Sequence, residues 1–185
     1  MSKKWLIASD IHGSARWCAA LMEAVEREQP DQILLLGDLL YHGPRNALPE
    51  DYSCPKTAEM LNARKEQIVA VRGNCDAEVD QMVLEFPVMA DYALLEIGGL
   101  SLYVTHGHLW NEENLPAMKK GSILLNGHTH VPACRLHETY VYMNPGSVSI
   151  PKEGSSRGYM TLEDGLFCWK TLEGAVYNEY RAAER

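Results

Sequence analysis

Five short apolar runs mark the first two thirds of the chain: KWLIAS (4–9), QILLL (32–36), IVAVR (68–72), LSLYVT (100–105) and SILLN (122–126). Each has the length and the aliphatic or β-branched content of a buried strand. Between the first three the spacing becomes helical. Residues 14–29 carry Trp17, Leu21, Ala24 and Val25 on one face behind Ser14, a candidate cap, and Pro30 follows the end. Residues 56–67 repeat the pattern with Ala58, Leu61 and Arg64. Strand, helix, strand, helix, strand predicts right-handed crossovers and a partly parallel sheet. Beyond residue 130 the texture changes. ACRLHE, TYVYMN, GYMTLE and LFCWKTL read as short strands separated by turns such as EDG at 163–165, and they predict antiparallel strands in a second sheet packed on the first.

Length and composition narrow the class. A chain of 185 residues with 46% hydrophobic content can bury one sizeable core, so one domain over residues 1–185 is expected. The 17 basic residues are dispersed among 25 acidic ones, a net charge of -8, which argues against an extended nucleic-acid footprint. The apolar stretch at the N-terminus stops at Asp10, and no run approaches the ~20 residues that span a bilayer, so no membrane partner is expected. Cys18, Cys54, Cys75, Cys134 and Cys168 stand far apart without a C-x-x-C, which disfavours a disulfide framework or a structural zinc site and fits the reducing cytoplasm. The apolar content permits a homo-oligomer.

The residues that follow the five strands carry the chemistry. They are Asp10-Ile-His12, Gly37-Asp38, Gly73-Asn74-Cys75-Asp76, His106-Gly-His108 and Gly127-His128-Thr-His130. Carboxyl ends of strands in an open α/β sheet are where ligand sites collect. Singly these motifs are weak, since a lone Gly-Asp is usually a turn. Together they bring Asp10 and Asp38, one Asn and up to five His to one place, whereas His42 lies in a loop and His137 in a late strand. Two divalent ions about 3.5–4 Å apart can clamp a phosphate and share a hydroxide if a carboxylate bridges them and neutral imidazoles complete the set. Oxygen and nitrogen donors without thiolate suit Mn, Fe, Co, Ni or Zn better than Mg or Ca. The sequence therefore predicts a dinuclear centre.

D-x-H, G-D, G-N-x-D, H-G-H and G-H-T-H, in this order over residues 10–130, resemble the calcineurin-like metallophosphoesterases. GDLLYHGPRNALPE, VRGNCDAEVDQM, THGH and NPGSVSIPK are similar, more narrowly, to the YfcE-type bacterial phosphodiesterases. The resemblance implies an α/β fold, a four-layer α/β/β/α sandwich of two mixed sheets with the metals at one edge. It also implies that Asp10, His12 and His130 hold one cation, that Asn74, His106 and His128 hold the other, and that Asp38 bridges. The implied activity is hydrolysis of a small phosphodiester by a hydroxide bridging two cations, with Mn the expected metal. A phosphomonoesterase or nucleotidase on the same site is the alternative within the class. A non-catalytic scaffold like the retromer subunit of the same fold is the alternative outside it, and the complete ligand set argues against it.

Many relatives in this superfamily carry a His where this chain has Cys75, and that His can protonate the leaving oxygen. A thiol is a weak substitute acid. As a ligand Cys75 is superfluous, and as a nucleophile it competes with a hydroxide that needs no help, so the expectation is a small side chain lining the pocket. His108 and His42 are the candidate replacement acids. Arg45 in YHGPRN offers a guanidinium fork to a phosphate oxygen. Asp76 either orients a neighbouring donor or caps the helical turn that begins at Ala77. The NPGS segment at 144–147 is a candidate tight turn near the site.

Overall fold

The computed structural model describes residues 3–182. In chain order the elements are β1 (Trp5–Ala8), α1 (Ala15–Glu28), β2 (Gln32–Leu35), α2 (Cys54–Asn62), β3 (Ile68–Ala70), α3 (Glu78–Gln81), β4 (Tyr92–Ile97), β5 (Leu100–Thr105), β6 (Ser122–Leu125), β7 (Pro132–Leu136), β8 (Tyr140–Pro145), β9 (Gly158–Glu163), β10 (Leu166–Thr171) and β11 (Val176–Arg181).

Two mixed sheets pack face to face. The first runs β11-β10-β9-β1-β2-β3, with β1, β2 and β3 parallel and the rest antiparallel. The second runs β4-β5-β6-β8-β7, with β5, β6 and β8 parallel. Side chains alternate along β1 as a pleat requires. Leu6 and Ala8 face α1 and α2, where they join Leu21, Val25, Ile33, Leu35 and Leu61. Trp5 and Ile7 face the second sheet and pack with Leu34, Val104, Leu125, Met143, Phe167 and Trp169. A strand covered on both faces must be apolar throughout, which is why β1, β2 and β6 read as unbroken runs.

The predicted first helix is present as read: Ser14 caps α1 by accepting the Trp17 N–H. The second helix differs. Ser53 is its cap and Pro55 sits in its first turn, so it starts at Cys54 and ends at Asn62, and residues 65–67 form a separate 3-10 turn. The later strands divide between the sheets. Only β7 and β8 join the second; β9 and β10, linked through the EDG turn, extend the first from the free side of β1, because β9 pairs with β1 and β10 with β9. β5 and β6 belong to the second sheet. The outer face of that sheet carries irregular chain over 107–121 rather than a helix, with Trp110 and Met118 packed on Tyr103, Leu124, Tyr140 and Tyr142. No helix among the described residues is long and apolar enough to cross a membrane.

Candidate metal centre

The carboxyl ends of β1, β2, β3, β5 and β6 converge on one edge of the sandwich, and the chain turns sharply at each. Asp10, His12, Asp38, His128 and His130 all have positive φ, between 50° and 66°. The left-handed region costs an ordinary L-residue on the order of 1 kcal/mol, so five such residues at one spot mark backbone held in place by its surroundings. The Asp10 and His12 N–H groups donate to the Gly37 and Asp38 carbonyls, locking the first turn on the second. Gly73 and Gly127 explain themselves by close approach: a Cβ on Gly73 would lie 2.1 Å from Asp38 Oδ1, and one on Gly127 would lie 1.9 Å from Ser9 Oγ.

The donor atoms meet in two sets. In the first, His12 Nε2 and His130 Nε2 face each other at 3.2 Å, and Asp10 Oδ1 lies 3.2 Å from His130 and 3.6 Å from His12. In the second, His106 Nε2 lies 3.2 Å from both Asn74 Oδ1 and His128 Nδ1. Asp38 Oδ2 stands between them, 3.7 Å from His12 Nε2 and 3.4 Å from His106 Nε2.

The far side of three of the four rings is fixed. The Nδ1–H groups of His12, His106 and His130 donate to the carbonyls of Tyr41 (2.8 Å), Leu36 (2.7 Å) and Ile150 (2.6 Å). A backbone carbonyl on Nδ1 selects the tautomer whose Nε2 lone pair points inward, the usual arrangement behind a metal-ligating histidine. Asp10 Oδ1 is fully buried and accepts no hydrogen bond among the described residues. An orphaned carboxylate oxygen among convergent imidazole lone pairs is a poor protein interior and a good cation site, so the donor set fits divalent metals.

The electrostatics agree. Burial works against ionising Asp10 and Asp38, but the His12 and His130 rings beside the first and the His106 ring beside the second hold both below the carboxylate range. The same carboxylates overcome burial to raise His12, and to raise His106 to about 9. Burial and the His106 charge push His128 down to about 4.

Around this set the other candidates fall into place. Asp76 does not cap α3; that cap is Ala77, whose N–H is taken by Asp80. Asp76 instead accepts the N–H groups of Gly73 (2.7 Å), Asp38 (2.8 Å) and Leu39 (2.9 Å), tying the Gly73-Asn74 turn to the Gly37-Asp38 turn. Cys75 lines the cavity above the donors, and burial beside Asp38 pushes its thiol up to about 12. Its sulfur accepts the Asn74 Nδ2–H at 3.2 Å. The Cys75 Sγ also comes within 4.8 Å of donor atoms of His12 and Asp38. His108 packs against His106 and His128, and burial with the His106 charge lowers its pKa. His42 sits edge-on between Tyr41 and Tyr52 and is not in the cavity wall.

The cavity, about 500 Å³, is walled above the donors by Arg45, Asn46, Thr129 and Lys152. Sequence reasoning singled out only Arg45 of these four. It also left Ser147 and Ser149 unassigned, although their hydroxyls donate to the Asp10 carbonyl at 2.8 and 3.0 Å and steady the first turn from the NPGS segment.

This fold and donor set define a class. The calcineurin-like phosphoesterase superfamily domain matches residues 4–164, and the chain belongs to that superfamily, a family of phosphoester hydrolases that use divalent cations. Within it, the chain is 45% identical over 163 residues to phosphodiesterase YfcE of Escherichia coli K12, covering 88% of this chain and 89% of that one. The probable metallophosphoesterase YsnB of Bacillus subtilis is 26% identical over 172 residues, 86% of this chain and 84% of that one. The solved structure of the E. coli YfcE phosphoesterase superposes with a TM-score of 0.94 at 40% identity over 97% of this chain and 100% of that one. Zinc-complexed Vps29 of Entamoeba histolytica shares the fold, with a TM-score of 0.64 at 19% identity over 97% of this chain and 99% of that one.

Proposed function

We propose that this chain is a phosphodiesterase with a dinuclear centre, in which Asp10, His12 and His130 hold one cation, Asn74, His106 and His128 hold the second, and Asp38 serves both. The observation that carries the reading is the position of Asp38 Oδ2, 3.7 Å from one set's imidazole and 3.4 Å from the other's. Bound divalent cations, Mn foremost, supply Lewis-acid polarisation of the phosphoryl oxygens and a nucleophile from water at neutral pH. The chain's own residues prepare that chemistry. Carbonyls of Tyr41, Leu36 and Ile150 aim three imidazoles, and Asp76 holds the Asp38 turn.

Among the described residues no strong proton donor stands over the site. The Cys75 thiol is a poor acid at about 12, a His108 with a lowered pKa is neutral at pH 7, and His42 is held between two tyrosines. The enzyme should therefore favour diesters whose leaving group departs without a proton. The similarity to phosphodiesterase YfcE supports diesters over monoesters. We read it as acting in the cytoplasm on small substrates.

The test uses protein stripped by chelator, dialysed and supplied with Mn or Mg, then given bis-p-nitrophenyl phosphate, p-nitrophenyl phosphate and a cyclic nucleotide. Activity confined to the reloaded protein, better with Mn than Mg and strongest on the activated diester, is expected. Full activity in excess chelator sinks the metal mechanism. Preference for the monoester selects a monoesterase, and inactivity with metals bound selects a scaffold.

A further inference from the structure

The cavity over the donor set has an unusual wall. Apart from the donor residues and Cys75 it is made of polar and charged side chains, Gly43 and Pro44, with no aromatic ring and no large aliphatic side chain. A nucleoside or acyl substituent would find nothing to stack on. Two cations do line it, Arg45 and Lys152. Neither has a carboxylate partner among the described residues, although most other arginines and several lysines there do. In a chain of net charge -8, Arg45 and Lys152 are two cations without carboxylate partners that line one cavity, beside the Asp38 carboxylate.

Their backbone anchoring ties them to one half of the centre. Arg45 lies four residues beyond Tyr41, whose carbonyl holds His12, and the intervening turn is closed by Asn46 Nδ2 donating to the His42 carbonyl at 2.8 Å. Lys152 lies two residues beyond Ile150, whose carbonyl holds His130. Its own N–H donates to the His130 carbonyl at 3.2 Å, and Ser155 Oγ donates to the Lys152 carbonyl at 2.6 Å. The two cations thus extend from the two segments that orient the His12–His130 pair, and both line the cavity.

A scissile diester carries one negative charge, and the donor sets already answer it with cations. Resting on the reading that this site hydrolyses phosphodiesters, we propose that Arg45 and Lys152 form a second anion subsite, and that the preferred substrate is a small diester bearing a further phosphate on one of its alcohol groups. The guanidinium fork and the ammonium point charge together form a donor set for a phosphate dianion. A cavity of about 500 Å³ takes two phosphates joined by a short polyol. Lys152 and Arg45 are specificity residues in this account and act on the far phosphate rather than on the reacting bond.

The test compares p-nitrophenyl hydroxypropyl phosphate with the same diester phosphorylated on its free hydroxyl, using the Mn-loaded enzyme. The wild type should show a KM about 10- to 100-fold lower for the phosphorylated diester, as expected for charged hydrogen bonds to one more phosphate. Lys152→Ala and Arg45→Ala should each remove most of that advantage through KM, Lys152→Glu should reverse it, and Lys152→Arg should keep it. Equal KM values for the two diesters in the wild type, or an unchanged ratio in Lys152→Ala, overturn the proposal. If neither diester is hydrolysed the phosphodiesterase reading itself fails, and calorimetry with propane bisphosphate still decides the subsite. Binding about 10-fold weaker in Lys152→Ala supports it, and equal binding refutes it.

Discussion

Asp76→Asn is the change whose cost can be worked most directly from the geometry. The Asp76 carboxylate takes three backbone N–H groups: Gly73 and Asp38 on Oδ2, Leu39 on Oδ1. All three partners are donors, so the group must be an acceptor on both oxygens, which only the anion is. Burial pushes its pKa up, and the three N–H groups pull against that rise. An asparagine can keep its oxygen on the Gly73 and Asp38 side, but its NH2 then faces the Leu39 N–H. One charge-assisted bond of about 1.5–3 kcal/mol is exchanged for a donor facing a donor, and the other two lose their charge, for an expected total of about 2–4 kcal/mol. In a chain of this size that lowers Tm by roughly 5–15 °C. Because the strut holds the Asp38 turn, Mn affinity should fall by about 10- to 100-fold as well. Urea denaturation and competition with a chelator read the two effects separately. A loss below about 0.5 kcal/mol would mean that burial had won and Asp76 is a neutral acid, and would refute the strut argument.

Other outcomes follow from the same geometry. Asp38→Asn removes the negative charge shared by both donor sets and should lower metal occupancy and turnover by about 10²-fold or more, checked by elemental analysis and diester hydrolysis. Cys75→Ala should leave turnover of a nitrophenyl diester nearly unchanged, while Cys75→His should help most on alkoxide leaving groups, where a placed acid is worth about 10²–10⁴. Loss of nitrophenyl activity in the alanine variant with metals still bound would contradict that. Away from the site, Glu28 is braced by Lys4, Lys170 and the Tyr159 hydroxyl. Burial opposes its ionisation, but these partners bring its carboxyl down to about 2 from 4.5. A depressed folded-state pKa stabilises fully above pH 4.5 and fades as pH falls towards 2, so the stability gap between wild type and Glu28→Gln should close over that window in acid denaturation.

Much of the site was legible because its signals are local. Each strand is a short apolar run, each candidate ligand follows its strand by a few residues, and five of the seven histidines are clustered there. The sheet assignment was not legible, since GYMTLE and LFCWKTL announce a hairpin through EDG but nothing in them says that β9 returns to β1 rather than to the second sheet. Pairing is a long-range choice made by burial of both faces. β4 and β11 were missed for a related reason: as edge strands with several exposed positions they lack the unbroken apolar run of the central ones. The Asp76 role was half legible. An acidic residue before a helical turn reads as a cap, and only the packing of Gly73 against Asp38 brings the Asp38 and Leu39 N–H groups within its reach. Lys152 ends the NPGSVSIPK segment but was not singled out, because a lysine after a proline in a loop looks like any solvated cation.

If two cations held by seven side chains carry out phosphodiester hydrolysis, titrating the metal-stripped chain with Mn while following hydrolysis of bis-p-nitrophenyl phosphate should raise activity until two equivalents are bound per chain, after which it levels off. A plateau at one equivalent, or hydrolysis at full rate before any metal is added, would contradict the two-cation reading.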